Sequence, residues 1–147
     1  MRRSLSARAV VRPMGNAASV ADGARQQGNA LYQQGNLAAA VRCYRKALAS
    51  GLDESHKIHS NLSACLLAAG LLHAALESAD ACIAEQPAWP KGHYRRGAVL
   101  MALEMWPEAM VSLRRALVHD PQSTTIKSLL EQCHAKRPPP GLRGGAC

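Results

Sequence analysis

A 34-residue echo constrains this chain more than any other feature: Pro87 returns as Pro121, Ala75 as Ala109, Cys82 as Ala116, and Asn61 falls in register with Arg95. Self-similarity at that period marks a helix-turn-helix repeat, whose hairpins bury their apolar faces only by stacking on one another. An upstream unit keeps the same internal offsets. In it Gly28, Ala40, Tyr44 and Ala47 stand in the places of Gly97, Ala109, Leu113 and Ala116, with one residue inserted near Glu54. Where two helices cross closely, only a small side chain leaves room for the partner backbone, so Ala40, Ala75 and Ala109 are the expected contact points.

Helix punctuation falls where such hairpins must turn. Gly35 suits a left-handed stop and Asn36 a cap for the helix that follows; Gly51 and Gly70 suit further stops, and Pro107 suits a first helical turn. The pattern predicts helices near 21–34, 37–50, 56–69, 72–85, 90–103, 106–119 and 124–135. No segment alternates long enough to form a strand.

Composition narrows the class. Apolar residues make up 48% of the 147, but aromatics only 3% and Phe is absent, so Ala and Leu are expected to build the core. The longest apolar stretch, Leu66 to Leu76, is interrupted by Gly70 and His73 and is too short to span a bilayer. The net charge of +8 sits mainly at the ends: Arg2, Arg3, Arg8 and Arg12 at one, and Lys136, Arg137 and Arg143 at the other. Without these the remainder is close to neutral. A nearly neutral solenoid lacks the continuous basic face that phosphate binding needs, so no nucleic-acid partner is expected.

The repeat pattern resembles the tetratricopeptide repeat (TPR) family, in which Gly also stands at the eighth position and Pro near the end. The resemblance covers residues 21 to about 135, as repeats 21–54, 56–89 and 90–123 with a capping helix at 124–135; Leu52 departs from it, standing where the family prefers Pro. It implies an all-α, right-handed superhelical solenoid.

Five polar residues then stand out. Arg25 and Asn29 are four apart on the first A helix, Asn61 lies on the second, and Lys91 and Arg95 are four apart on the third. Four residues is about one helical turn, so each pair shares a face. In a stack of hairpins the A helices line the concave side, and three cations and two amides are expected to converge there without a matching acid. The set resembles the carboxylate clamp of TPR co-chaperones, which hold the Glu-Glu-Val-Asp terminus of the seventy- and ninety-kilodalton heat-shock proteins. By that resemblance Arg25, Asn29, Asn61 and Lys91 meet the two carboxylates of the terminal Asp, and Lys91 and Arg95 contact groups further along the peptide. Tyr94 and Arg96 also match the family's third repeat. Arg25 replaces the usual Lys, and Leu62 stands where the family often has Arg.

Chemistry of other kinds finds little support. No motif joins a nucleophile, a base and an orienting acid, so no enzyme activity is expected. Cys43, Cys65 and Cys82 read as packing residues. His56 and His59 form an i, i+3 pair without a Cys-x-x-Cys or a third ligand, so neither a metal nor a cofactor is expected. Five Cys without a secretory signal suggest reduced thiols inside a cell. Residues 1–20 read as a basic tail with the composition of a mitochondrial transit peptide, and 136–147 as a flexible Pro- and Gly-rich tail that is not a prenylation signal.

The reading is thus a monomeric, cytoplasmic TPR adaptor gripping a chaperone's acidic C-terminus. Its alternative is a TPR scaffold, in mitochondria if the tail directs import, that binds an internal segment of another partner. A free terminal carboxylate is needed only by the first.

Overall fold

The computed structural model describes residues 19–51 and 53–137, which form seven α-helices with no strand among them. In chain order these are α1 over residues 19–33, α2 (Leu37–Ala49), α3 (Ser55–Ala68), α4 (Leu72–Glu85), α5 (Pro90–Ala102), α6 (Trp106–His119) and α7 (Thr124–Lys136). Each lies within two residues of its expected span. Two boundaries are corrected: residues 19 and 20 are already helical, and Lys136 closes α7 instead of opening a tail. Residues 1–18, Leu52 and 138–147, with the expectations placed on them, lie outside the described residues.

The turns show why the hairpins fold back where they do. Gly35 and Gly70 take φ of 78° and 79° after α1 and α3, the left-handed conformation that frees the chain to reverse. The Asn36 carboxamide then accepts from the Ala39 backbone N–H and caps α2. In the third hairpin Glu104 occupies the equivalent place at φ 58°, the only positive φ outside glycine among the described residues. A side chain in that conformation costs about 1–2 kcal/mol. Pro90 and Pro107 sit in the first turns of α5 and α6, where the missing N–H breaks no helical bond.

The helices form two layers. α3 packs on α4 and α5 on α6, while α3 touches α5 and α5 touches α7. α1 joins the inner layer through a side-chain hydrogen bond to α3. Ala40, Ala75 and Ala109 are fully buried at the crossings, as their small size led one to expect. At the same crossings a Cβ on Gly28 would come within 2.7 Å of the Tyr44 ring, and one on Gly97 within 2.7 Å of Leu113. The second hairpin solves the problem differently. Its eighth residue is Ser63, buried, whose hydroxyl donates to the Ala75 carbonyl at 2.8 Å.

One apolar cluster gathers around Tyr44, Ile58, Leu66 and Val99 and a second around Leu100, Leu113, Ile126 and Cys133, with Leu76 and Leu103 packed against both. Burying a side chain such as Leu66 or Leu113 contributes about 1.5–3 kcal/mol. The core is less exclusively Ala and Leu than composition suggested. Cys65, Cys82 and Cys133 are completely buried in it, along with Tyr44, Ile58 and Val99.

Candidate functional site

The inner layer presents the polar residues that the repeat register singled out. Asn29, from the middle of α1, accepts two hydrogen bonds on its Oδ1: one from the Tyr44 hydroxyl at 2.7 Å and one from Asn61 Nδ2 at 2.9 Å. Three helices therefore meet at a single carbonyl oxygen. Next to it, Arg95 of α5 donates from Nε to Ser60 Oγ at 3.3 Å, and its guanidinium lies 5.4 Å from the centre of the Tyr94 ring. Asn29, Asn61 and Arg95 line one pocket of about 240 Å³, together with Tyr32, Gln33, Tyr44 and Ala64. That lining contains a guanidinium and three carboxamides, those of Asn29, Gln33 and Asn61, and no carboxylate.

Lys91 lies one turn before Arg95 and lines a neighbouring pocket of about 360 Å³ between α5 and α7, with Trp89, Tyr94, Ile126 and one carboxylate, Asp120. Its ammonium is 5.8 Å from the centre of the Trp89 ring. Partial desolvation, and behind it the Arg95 guanidinium, hold the lysine below its ordinary pKa range. Both causes disfavour the charged form and would be offset by an anion placed between the two cations.

Arg25 departs from the expectation of cations without a matching acid. Asp22, one turn earlier on α1, accepts from both Nε and Nη2 of Arg25, at 3.2 and 2.6 Å. An i, i+3 spacing puts the two on one helix face, so the pairing was open to sequence reasoning and was missed. Arg25 does not line the pocket that holds Asn29, Asn61 and Arg95.

The other flagged residues turn to structural tasks. Arg96 points away from the groove, donating to Asp80 Oδ1 at 2.9 Å and to Ser112 Oγ at 2.7 Å, and so pins α5 to α4 and α6. His56 stands edge-on to Trp89, and His59 Nε2 lies 3.4 Å from Glu85 Oε1. His93 is buried and donates from Nε2 to the Pro87 carbonyl at 2.7 Å. Burial pushes the Cys82 thiol up to about 11, and those of Cys65 and Cys133 upward as well, which leaves little thiolate at neutral pH.

Sequence reasoning used Tyr44 only as a register position of the repeat; its hydroxyl proves to be part of the polar network. Ser60 was also missed, because its partner Arg95 lies 35 residues away, and so was Trp89, although Lys91 stands only two residues on.

Residues 21–50 match the family model for the tetratricopeptide repeat. The chain is 32% identical over 114 residues to heat shock protein STI1 of Saccharomyces cerevisiae, a match covering 78% of this chain and 19% of that protein. It is 31% identical to Hsp70-Hsp90 organizing protein 1 of Glycine max, covering 78% of this chain and 20% of the relative. The chain thus spans about a fifth of the length of these relatives. Among solved structures, the first TPR of Spaghetti (RPAP3) bound to the HSP90 peptide SRMEEVD superposes with a TM-score of 0.75 at 21% identity, covering 80% of this chain and 92% of that one.

Proposed function

This chain belongs to the tetratricopeptide repeat family, and from that premise we propose that it is a non-enzymatic adaptor whose groove binds the acidic C-terminus of a seventy- or ninety-kilodalton heat-shock protein. The observation that carries the reading is the carboxylate-free pocket lined by Asn29, Asn61 and Arg95, with the destabilised Lys91 ammonium beside it. A terminal Asp presents two carboxylates close together, both acceptors only, and needs several fixed donors to offset their desolvation. Amide N–H groups and a guanidinium held on rigid helices supply such donors without a large ordering cost.

The proposed clamp comprises Arg25, Asn29, Asn61, Lys91 and Arg95. Arg25 enters only by leaving Asp22, an exchange of one carboxylate for another. Hydrogen bonds to charged groups contribute about 1.5–3 kcal/mol each, less the cost of ordering a flexible tail, so micromolar affinity is expected. The compartment that fits such a partner is the cytoplasm.

Calorimetric titration with a peptide ending in Met-Glu-Glu-Val-Asp, beside the same peptide amidated at its C-terminus, tests the reading. Micromolar binding that amidation weakens about tenfold or more is the expected result. A folded, helical protein that ignores the free acid moves the function to another groove ligand.

A further inference from the structure

The Tyr44 ring is 2% exposed and lies so close to α1 that a Cβ on Gly28 would meet it at 2.7 Å. Its hydroxyl emerges from this apolar packing beside the next residue, Asn29, and donates to Oδ1 at 2.7 Å. Phenylalanine would fill the same core volume without a polar atom to satisfy. The hydroxyl, pushed up to about 12 chiefly by burial, remains a neutral donor throughout the physiological range.

Asn61 Nδ2 donates to that same oxygen at 2.9 Å. With two donors converging on its carbonyl, the Asn29 carboxamide turns its amino end, with two N–H groups, away from them. Reversing Asn29 alone would set its N–H groups against the Asn61 amino group, donor against donor. Asn29 and Arg95 both line the pocket on this side of the helices.

We propose that Tyr44 is a positioning residue: its hydroxyl, together with the Asn61 amino group, holds the Asn29 carboxamide with its N–H groups turned into the pocket, and thereby sets a preference for a carboxylate over an uncharged amide at the ligand's end. In its bearing on the ligand this rests on the terminal-carboxylate reading above. The lock itself is a property of the free protein.

The test uses Tyr44→Phe in the full chain, with helicity checked by circular dichroism. In the free, nitrogen-15-labelled protein the Asn29 side-chain amide resonances, identified by their loss in Asn29→Ala, are expected to shift in Tyr44→Phe. Backbone resonances of α6 and α7 are expected to stay in place. Unchanged Asn29 side-chain resonances overturn the lock, whether or not any peptide binds.

The second readout is affinity for the peptide Ser-Arg-Met-Glu-Glu-Val-Asp as free acid and as C-terminal amide. Tyr44→Phe is expected to weaken the acid about fivefold and leave the amide nearly unchanged, the scale of one hydrogen bond lost through a displaced partner. Equal loss for both forms, or none, overturns the stated preference. A wild-type protein that does not distinguish acid from amide overturns both that preference and the terminal-carboxylate reading, leaving the Asn29 resonances to decide the lock.

Discussion

Asn61 donates its side-chain amide to Asn29 at 2.9 Å across 32 residues of sequence, joining the A helices of consecutive hairpins inside the groove. The bond links architecture to site. The stacking of the hairpins sets how near the two carboxamides come, and their contact leaves amide hydrogens available to a ligand.

The cations on α5 carry the first prediction. Lys91→Ala or Arg95→Ala is expected to lower affinity for the free-acid peptide about tenfold or more, since each removes a charge-assisted donor. Titration calorimetry of both variants checks it. A loss under about twofold in both would remove the clamp assignment.

Asp22 competes with the proposed ligand for Arg25. Asp22→Asn is expected to tighten peptide binding about two- to fivefold, because a partly exposed pair of this kind is worth only about 0–1 kcal/mol and its release favours the incoming carboxylate. Affinity measured at two salt concentrations checks this: the gain should be larger at low salt. Weaker binding in the variant would place Arg25 outside the site.

Glu104 is strained where the first two hairpins use glycine. Glu104→Gly is expected to stabilise the protein by about 0.5–1 kcal/mol, the relief of a left-handed side chain less the entropy glycine returns to the unfolded chain. A rise in the urea midpoint with an unchanged slope would show it. An unchanged or lower midpoint would refute the strain argument.

Cys82 makes stability fall in alkali. Burial lifts its thiol from the ordinary 9 to about 11, so the folded state favours the protonated form. The contribution is complete below pH 9 and is lost progressively as pH rises through about 11, up to about 2–3 kcal/mol in all. Denaturant melts of wild type and Cys82→Ala across pH 8 to 11 should show a shallower decline in the variant. Parallel declines would assign the alkaline loss to other groups.

Much of the fold was legible in the chain because its signals are local and recur. Small residues at Ala40, Ala75 and Ala109 marked the crossings, and Gly35 and Gly70 marked the reversals, since only a residue without a Cβ takes the left-handed turn freely. Even so, two solutions escaped the pattern: Ser63 takes a glycine's place by donating to Ala75 O, and Glu104 takes one under strain.

The candidate site divides in the same way. That Arg25, Asn29, Asn61, Lys91 and Arg95 occupy A helices follows from their register in the sequence alone. Which of them share a pocket does not. Tertiary structure decided that Asn29, Asn61 and Arg95 line one cavity while Lys91 lines the next, and that Tyr44 reaches Asn29 from a neighbouring helix. The physical reason is one of range. Helical periodicity and turn chemistry act over a few residues and are written in the local sequence, whereas hydrogen-bond direction and desolvation depend on atoms that only the stacking of distant segments brings together.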